Sequence, residues 1–164
     1  MNYNERVRMS KVAKPFFQGY FGQFFTTLDA KKAIVKLDIP RLVITETSDG
    51  LIIESKNHGT ARLRIRGHEC VIFGQQDEIT IRKNGKDPEY DAILAGTWPY
   101  TYFAYAIWNS DYTQFYTVSL FDVSKLSHDI KVAPHVTMSN RGENEFEVFK
   151  IADLKTSLIS RLLP

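Results

Sequence analysis

The chain has 164 residues, 43% of them hydrophobic and 24% charged, with a net charge of +2. These values suit a soluble globule built as a single domain over residues 1–164 and leave too little chain for two comfortable cores. Near-neutrality does not demand a nucleic-acid partner, although local basic clusters can still bind phosphate, and a single cysteine excludes a disulfide framework.

In chain order, residues 1–14 read as a polar arm carrying Arg6, Arg8, Lys11 and Lys14, either a solvated terminus or a phosphate-contacting segment. Lys14-Pro15 opens a helix, with Phe17, Tyr20/Phe21, Phe24 and Leu28 as its apolar stripe. Gly19 and Gly22 weaken that helix and predict close packing against a flat sheet. Strands follow at Ala33–Leu37, Arg41–Thr45, Leu51–Ser55, Ala61–Arg66, Cys70–Phe73 and Glu78–Arg82. Ser48-Asp49-Gly50 predicts a hairpin turn in which glycine supplies a positive φ. Cys70, set against Val-Ile-Phe, reads as core filler. Within Ala61–Arg66, Arg62, Arg64 and Arg66 share one face, either the wet side of a half-buried strand or a guanidinium ladder for a nucleic-acid backbone.

The polar run 82–88 is the clearest loop. Residues 91–121 are the most apolar stretch, and Tyr100–Trp108 and Tyr112–Phe121 form a hairpin. Its aromatics suit either a core with hydroxyls at the rim or a stacking platform for single strands. Asp122–Asp129 is a short helix capped by Asp122 or Ser124. A strand at Val132–Met138, a turn at Ser139-Asn140-Arg141-Gly142 and a strand at Phe146–Phe149 come next. Ile151, Leu154, Leu158 and Leu162 give a closing amphipathic helix. The expected class is α+β, a largely antiparallel sheet flanked by an N-terminal and a C-terminal helix. No apolar run approaches membrane-spanning length and the N-terminus lacks a signal-peptide pattern, so the expected location is cytoplasmic.

One stretch carries a functional pattern. Asp38 precedes the Ser48-Asp49-Gly50 turn, and Leu51-Ile52-Ile53-Glu54-Ser55-Lys56 follows it. Period-2 geometry puts Glu54 and Lys56 on one face. This order, an Asp, a turn, an apolar strand and Glu-x-Lys, resembles the core of the PD-(D/E)XK nucleases, which include restriction endonucleases and junction resolvases. The resemblance implies hydrolysis of DNA phosphodiesters, with Asp38 and Glu54 holding Mg2+ and Lys56 orienting or activating the attacking water. It also implies a homodimer for duplex cleavage; Arg62, Arg64 and Arg66, on one face of the strand that follows, are the expected nucleic-acid contacts.

A second pattern competes. His58-Gly59-Thr60 and His135-Val136-Thr137 are both His-x-Thr, and the pair resembles the 2H phosphoesterases. That likeness implies metal-independent chemistry on RNA or cyclic oligonucleotides, with His58 and His135 as base and acid and Thr60 and Thr137 holding phosphate oxygens. A third expectation is a non-enzymatic domain that binds nucleic acid or a protein through its arginine strand and aromatic surface.

Overall fold

The computed structural model describes residues 3–32, 41–67, 77–85, 88–140 and 144–162. The chain opens with helix α1 (Tyr3–Arg8), a π turn over Met9–Ala13 and helix α2 (Lys14–Lys31). The three form one continuous rod, so the arm expected over residues 1–14 is helical from Tyr3. The cause is a longer apolar stripe than the aromatic positions alone suggest. Met9, Ala13, Phe17, Phe21 and Phe25 are all buried and stand four residues apart.

On a 3.6-residue helix a four-residue step drifts by about 40° each time, and a wider turn absorbs part of that drift. In the π turn Lys14 donates its N–H to Met9 O, five residues back. Pro15, which has no N–H and would crowd the carbonyl of a regular preceding turn, follows directly.

The strands are β1 (Leu42–Glu46), β2 (Gly50–Ser55), β3 (Gly59–Arg66), β4 (Glu78–Arg82), β5 (Tyr102–Trp108), β6 (Phe115–Asp122), β7 (His135–Asn140), β8 (Asn144–Lys150) and β9 (Leu158–Leu162). Helices α3 (Tyr90–Ala95) and α4 (Val123–Val132) and a 3-10 turn at Ile151–Asp153 complete the described elements. Six strands form one sheet in the order β1-β2-β3-β5-β6-β9, and three form another in the order β4-β8-β7. Every pairing is antiparallel except β3 with β5. The chain makes that parallel step through a crossover containing β4 and α3, the kind of long connection parallel strands require.

The large sheet buries both faces. On one, the α2 stripe packs on Leu51, Ile53, Ala61, Leu63, Ala104, Ala106 and Leu120. Three alanines opposite three phenylalanines let the helix lie close without overpacking. On the other, Phe103, Tyr105, Ile107 and Phe121 join Ile79, Ile81 and Phe149 of the small sheet, Ile93 of α3, and Leu126 and Ile130 of α4. Alternation along β5 assigns these residues to the two faces.

The α+β class, with largely antiparallel sheets and helices on its N- and C-terminal sides, is as expected. Three elements differ from expectation. The C-terminal helix is α4, capped by Asp122 accepting from Ser124 N, while Ile151–Leu162 is a 3-10 turn followed by β9. Residues 91–95, read as part of an apolar run, belong to α3, which ends on Gly96 at φ 73°. Among the described residues the positive-φ glycines are Gly59, Gly85 and Gly96, and Gly50 is not one of them. It is instead a point of close approach, where a Cβ would run into the Leu63 carbonyl. The strands expected at Ala33–Leu37 and Cys70–Phe73, Cys70 itself, and Arg141 and Gly142 of the expected turn lie outside the described residues. Among the described residues no helix is long and apolar enough to cross a membrane.

Candidate nucleic-acid interface and catalytic face

Registers in the β1–β2–β3 meander determine which side chains share a face. Val43, Glu54 and Thr60 lie directly opposite one another across the three strands, and Thr45, Ile52 and Arg62 form the next such row. Both rows lie on the face away from α2, because Leu51, Ile53, Ala61 and Leu63 occupy the helix side. Glu54 and Lys56 are exposed.

Beside the second row is a cavity of about 580 Å³ whose lining includes Ile52, Arg62, Arg64, Glu89, Trp98 and Tyr100. The Trp98 and Tyr100 rings meet edge to face, 4.8 Å apart. Thr101 N donates to Thr60 O at 2.8 Å, fastening the segment behind Tyr100 to the start of β3.

The expected arginine ladder divides into different roles. Arg64 is 2% exposed and so is not part of a wet face. It donates to Thr80 O at 3.1 Å, pairs with Glu89, and lies 3.4 Å from Asp49 Oδ2. Arg62 pairs with Asp49 and donates to Leu63 O at 2.8 Å, and it borders the cavity. Arg66 sits over the Phe146 ring at 5.6 Å.

Asp49, read from sequence as a turn residue, therefore organises the guanidiniums, with Arg82 a third at 3.6 Å. Burial pushes its carboxyl up, but Arg62 and Arg64, with hydrogen bonds from Arg62 and Thr47, outweigh that and hold it at about 2. Burial brings Arg64 down to about 10 despite Asp49, so it stays charged at neutral pH.

Of the proposed catalytic residues, Asp38 lies outside the described residues. Glu54 is in β2 on the open face, whereas Lys56 is an exposed residue of the turn that follows the strand at Ser55, where strand alternation no longer applies. Among the described residues no group of three or more His, Cys, Asp or Glu side chains is placed to hold a metal ion.

The two His-x-Thr motifs are not brought together. His58 sits in the β2–β3 turn of the large sheet, stacked on Phe25 of α2 at 4.7 Å. Its Nδ1 is 2.9 Å from Ser55 Oγ, and its Nε2 is 2.8 Å from Asp29 Oδ1. Thr60 faces the opposite side of the sheet, beside Glu54. His135 and Thr137 open β7 in the small sheet and converge on buried Glu147. Thr137 Oγ1 is 2.9 Å from both carboxylate oxygens, His135 Nε2 is 3.3 Å from Oε2 and Lys83 Nζ is 3.4 Å from Oε1. Hydrogen bonding to Glu147 raises the Lys83 ammonium, and burial together with Glu147 raises the neighbouring Tyr90 hydroxyl. The histidines thus belong to separate sheets and separate polar clusters, an arrangement that gives them no common phosphate.

Sequence reasoning missed Asp29, Asp49 and Glu89 as structural partners of cationic or imidazole groups. Only Asp49 left a signal, as the acid of a turn flanked by an arginine-rich strand. No family model matches the chain, and neither curated proteins nor solved structures yielded a match.

Proposed function

We propose that the chain is a magnesium-dependent nuclease acting on DNA at the open face of the β1–β2–β3 meander. One observation carries the reading: Glu54 is one pleat from Ile52 and Arg62 on the same face, and Ile52 and Arg62 line a cavity walled by Trp98 and Tyr100. A carboxylate, a guanidinium and aromatic rings on one surface match what a nucleic-acid strand presents, namely phosphates and base faces.

A magnesium ion held by Asp38 and Glu54 would polarise the phosphate and lower the pKa of a bound water. The chain's own residues have distinct tasks. Lys56 orients the water and offsets the negative charge that develops on the phosphoryl oxygens. Arg62, on the next row, faces the adjoining nucleotide. A two-fold dimer would let two such faces address the two strands of a duplex.

The test is plasmid and single-stranded oligonucleotide cleavage in magnesium or in EDTA. The expected result is cutting that needs magnesium and falls by about 100-fold or more in both Glu54→Gln and Lys56→Ala, whose exposed positions leave folding intact. Cutting within about twofold of wild type in both variants would overturn the assignment of these residues. Cleavage that survives EDTA and disappears in His135→Ala would transfer the chemistry to the small sheet. Gel shifts without any product would leave a binding domain.

A further inference from the structure

The geometry points to a base-recognition pocket: the cavity between β3 and the 98–100 segment takes one unpaired guanine, stacked on its aromatic wall and read at its edges by Arg62 and Glu89. This deepens the nuclease reading and rests on it for the class of ligand. The pocket's volume, about 580 Å³, lies within the range of small-ligand sites and accommodates a nucleobase with its sugar.

Three features of the wall select the ligand. Half-buried Trp98 and Tyr100 offer aromatic surface for a planar ring, and stacking on such side chains is tolerant of base identity. Identity must then come from polar edges. Arginine donors match the O6 and N7 acceptors of guanine, a pairing that adenine, with its N6 amino donor, disfavours. Guanine also carries N1–H and an amino group on its Watson–Crick edge, both donors, which suit a carboxylate acceptor. Uracil and thymine present a single donor there, and cytosine presents one amino donor beside two acceptors. A pocket lined by a guanidinium and a buried carboxylate therefore matches guanine at two edges and each other base at one or fewer.

Glu89 is 4% exposed, and its carboxylate is already held by Arg64. Its backbone N–H donates to Arg82 O at 2.9 Å, and its carbonyl accepts from Ile93 N at 2.9 Å at the start of α3. The acceptor is thus fixed in place before any ligand arrives, and Asp49 fixes Arg62 in the same way. Fixed polar groups discriminate strongly, because a base that fails to pair with them leaves them desolvated. A base reaches this pocket only when unstacked, which selects single strands or an extruded nucleotide over an intact duplex.

Binding is measured in EDTA, without turnover, by fluorescence of a Trp108→Phe protein in which Trp98 is the remaining tryptophan. The probes are 5′-GMP, 5′-AMP, 5′-CMP and 5′-UMP, then a single-stranded pentanucleotide with a central G and the same G inside a stable hairpin stem. Saturable quenching is expected with GMP, about tenfold tighter than with the other three, and with the single strand but not the stem. Glu89→Gln should level the four nucleotides. Because that change touches the buried Arg64 pair, Tyr100→Leu at the half-buried rim is the second variant, expected to weaken all four by about fivefold or more. Equal affinities for the four nucleotides, or no saturation by GMP at millimolar concentration, would overturn the pocket. Selective GMP binding without plasmid cutting would uphold the pocket and defeat the hydrolytic reading. Cutting without GMP binding would do the reverse.

Discussion

At the scale of single residues, Asp49 is the most consequential side chain that the sequence presents as ordinary. Its carboxylate neutralises two guanidiniums of β3, Arg62 and Arg64, and lies 3.6 Å from a third, Arg82 of β4 in the small sheet. With its folded pKa held at about 2, below the ordinary 3.8, it binds fewer protons when folded than when unfolded across that interval. Its contribution is therefore complete above pH 4 and disappears as pH falls toward 2, a loss of about 2 kcal/mol. Removing the charge at neutral pH leaves Arg64 buried without one of its partners, and Asp49→Asn is expected to cost about 3 kcal/mol in urea unfolding at pH 7. The same variant should lose less stability than wild type between pH 4 and pH 2. Parallel pH profiles for the two proteins would show that Asp49 does not hold the guanidinium cluster together. Only the turn acid beside an arginine-rich strand is legible in sequence; which guanidiniums it pairs with is not, because Arg64 and Arg82 reach it only after β3 and β4 have been assigned to different sheets.

At the scale of elements, two glycines make opposite predictions. Gly50 begins β2 where the strand backbone passes close to Leu63, and the atoms a Cβ would meet are backbone atoms that cannot swing aside. Gly50→Ala should cost about 3 kcal/mol or more by overpacking. Gly19 lies mid-helix in α2, exposed, with nothing within 4 Å of a Cβ. Gly19→Ala should gain about 1 kcal/mol, a rise of about 2–4 °C in Tm. Calorimetry of both variants decides the matter, since like-signed shifts would contradict the packing described. Local patterning made β2, β3, β4 and the β5–β6 hairpin readable, because alternation and turn residues are short-range signals. It failed for Ile151–Leu162, whose three- and four-residue spacing suits a helix. There Asp129 of α4 accepts from both Ser157 N at 2.8 Å and Ser157 Oγ at 2.6 Å. That anchor turns the chain onto the free edge of β6, where Leu158–Leu162 pairs as β9, and tertiary pairing overrides periodicity. The candidate site was half readable for the same reason. Glu54 follows from a period of two, whereas Lys56 belongs to the turn after Ser55, and Trp98, Tyr100 and Glu89 reach this face only through the crossover between β3 and β5.

At the scale of the whole molecule, the two cores are separated by the large sheet yet built from the same strands. Along β5, Phe103, Tyr105 and Ile107 belong to the core shared with the small sheet and α4, while Ala104, Ala106 and Trp108 belong to the core under α2. Residues 120 and 121 of β6 divide in the same way. Neither core can lose its packing without freeing a strand that the other requires, and β3, β5 and β6 are the centre of the sheet rather than its edge. Melting should therefore occur as one cooperative transition despite the two apolar clusters. The two tryptophans report the cores separately, since Trp108 is buried against the α2 side and Trp98 packs partly against the other. In Trp98→Phe and Trp108→Phe proteins, the fluorescence midpoint of the remaining tryptophan should coincide with the far-UV circular dichroism midpoint of the same variant in urea. If the Trp98 signal is lost at lower denaturant than the Trp108 signal, the small sheet and its helices are a separate cooperative unit. The cavity between β3 and the 98–100 segment would then open before the sheet carrying Glu54 unfolds.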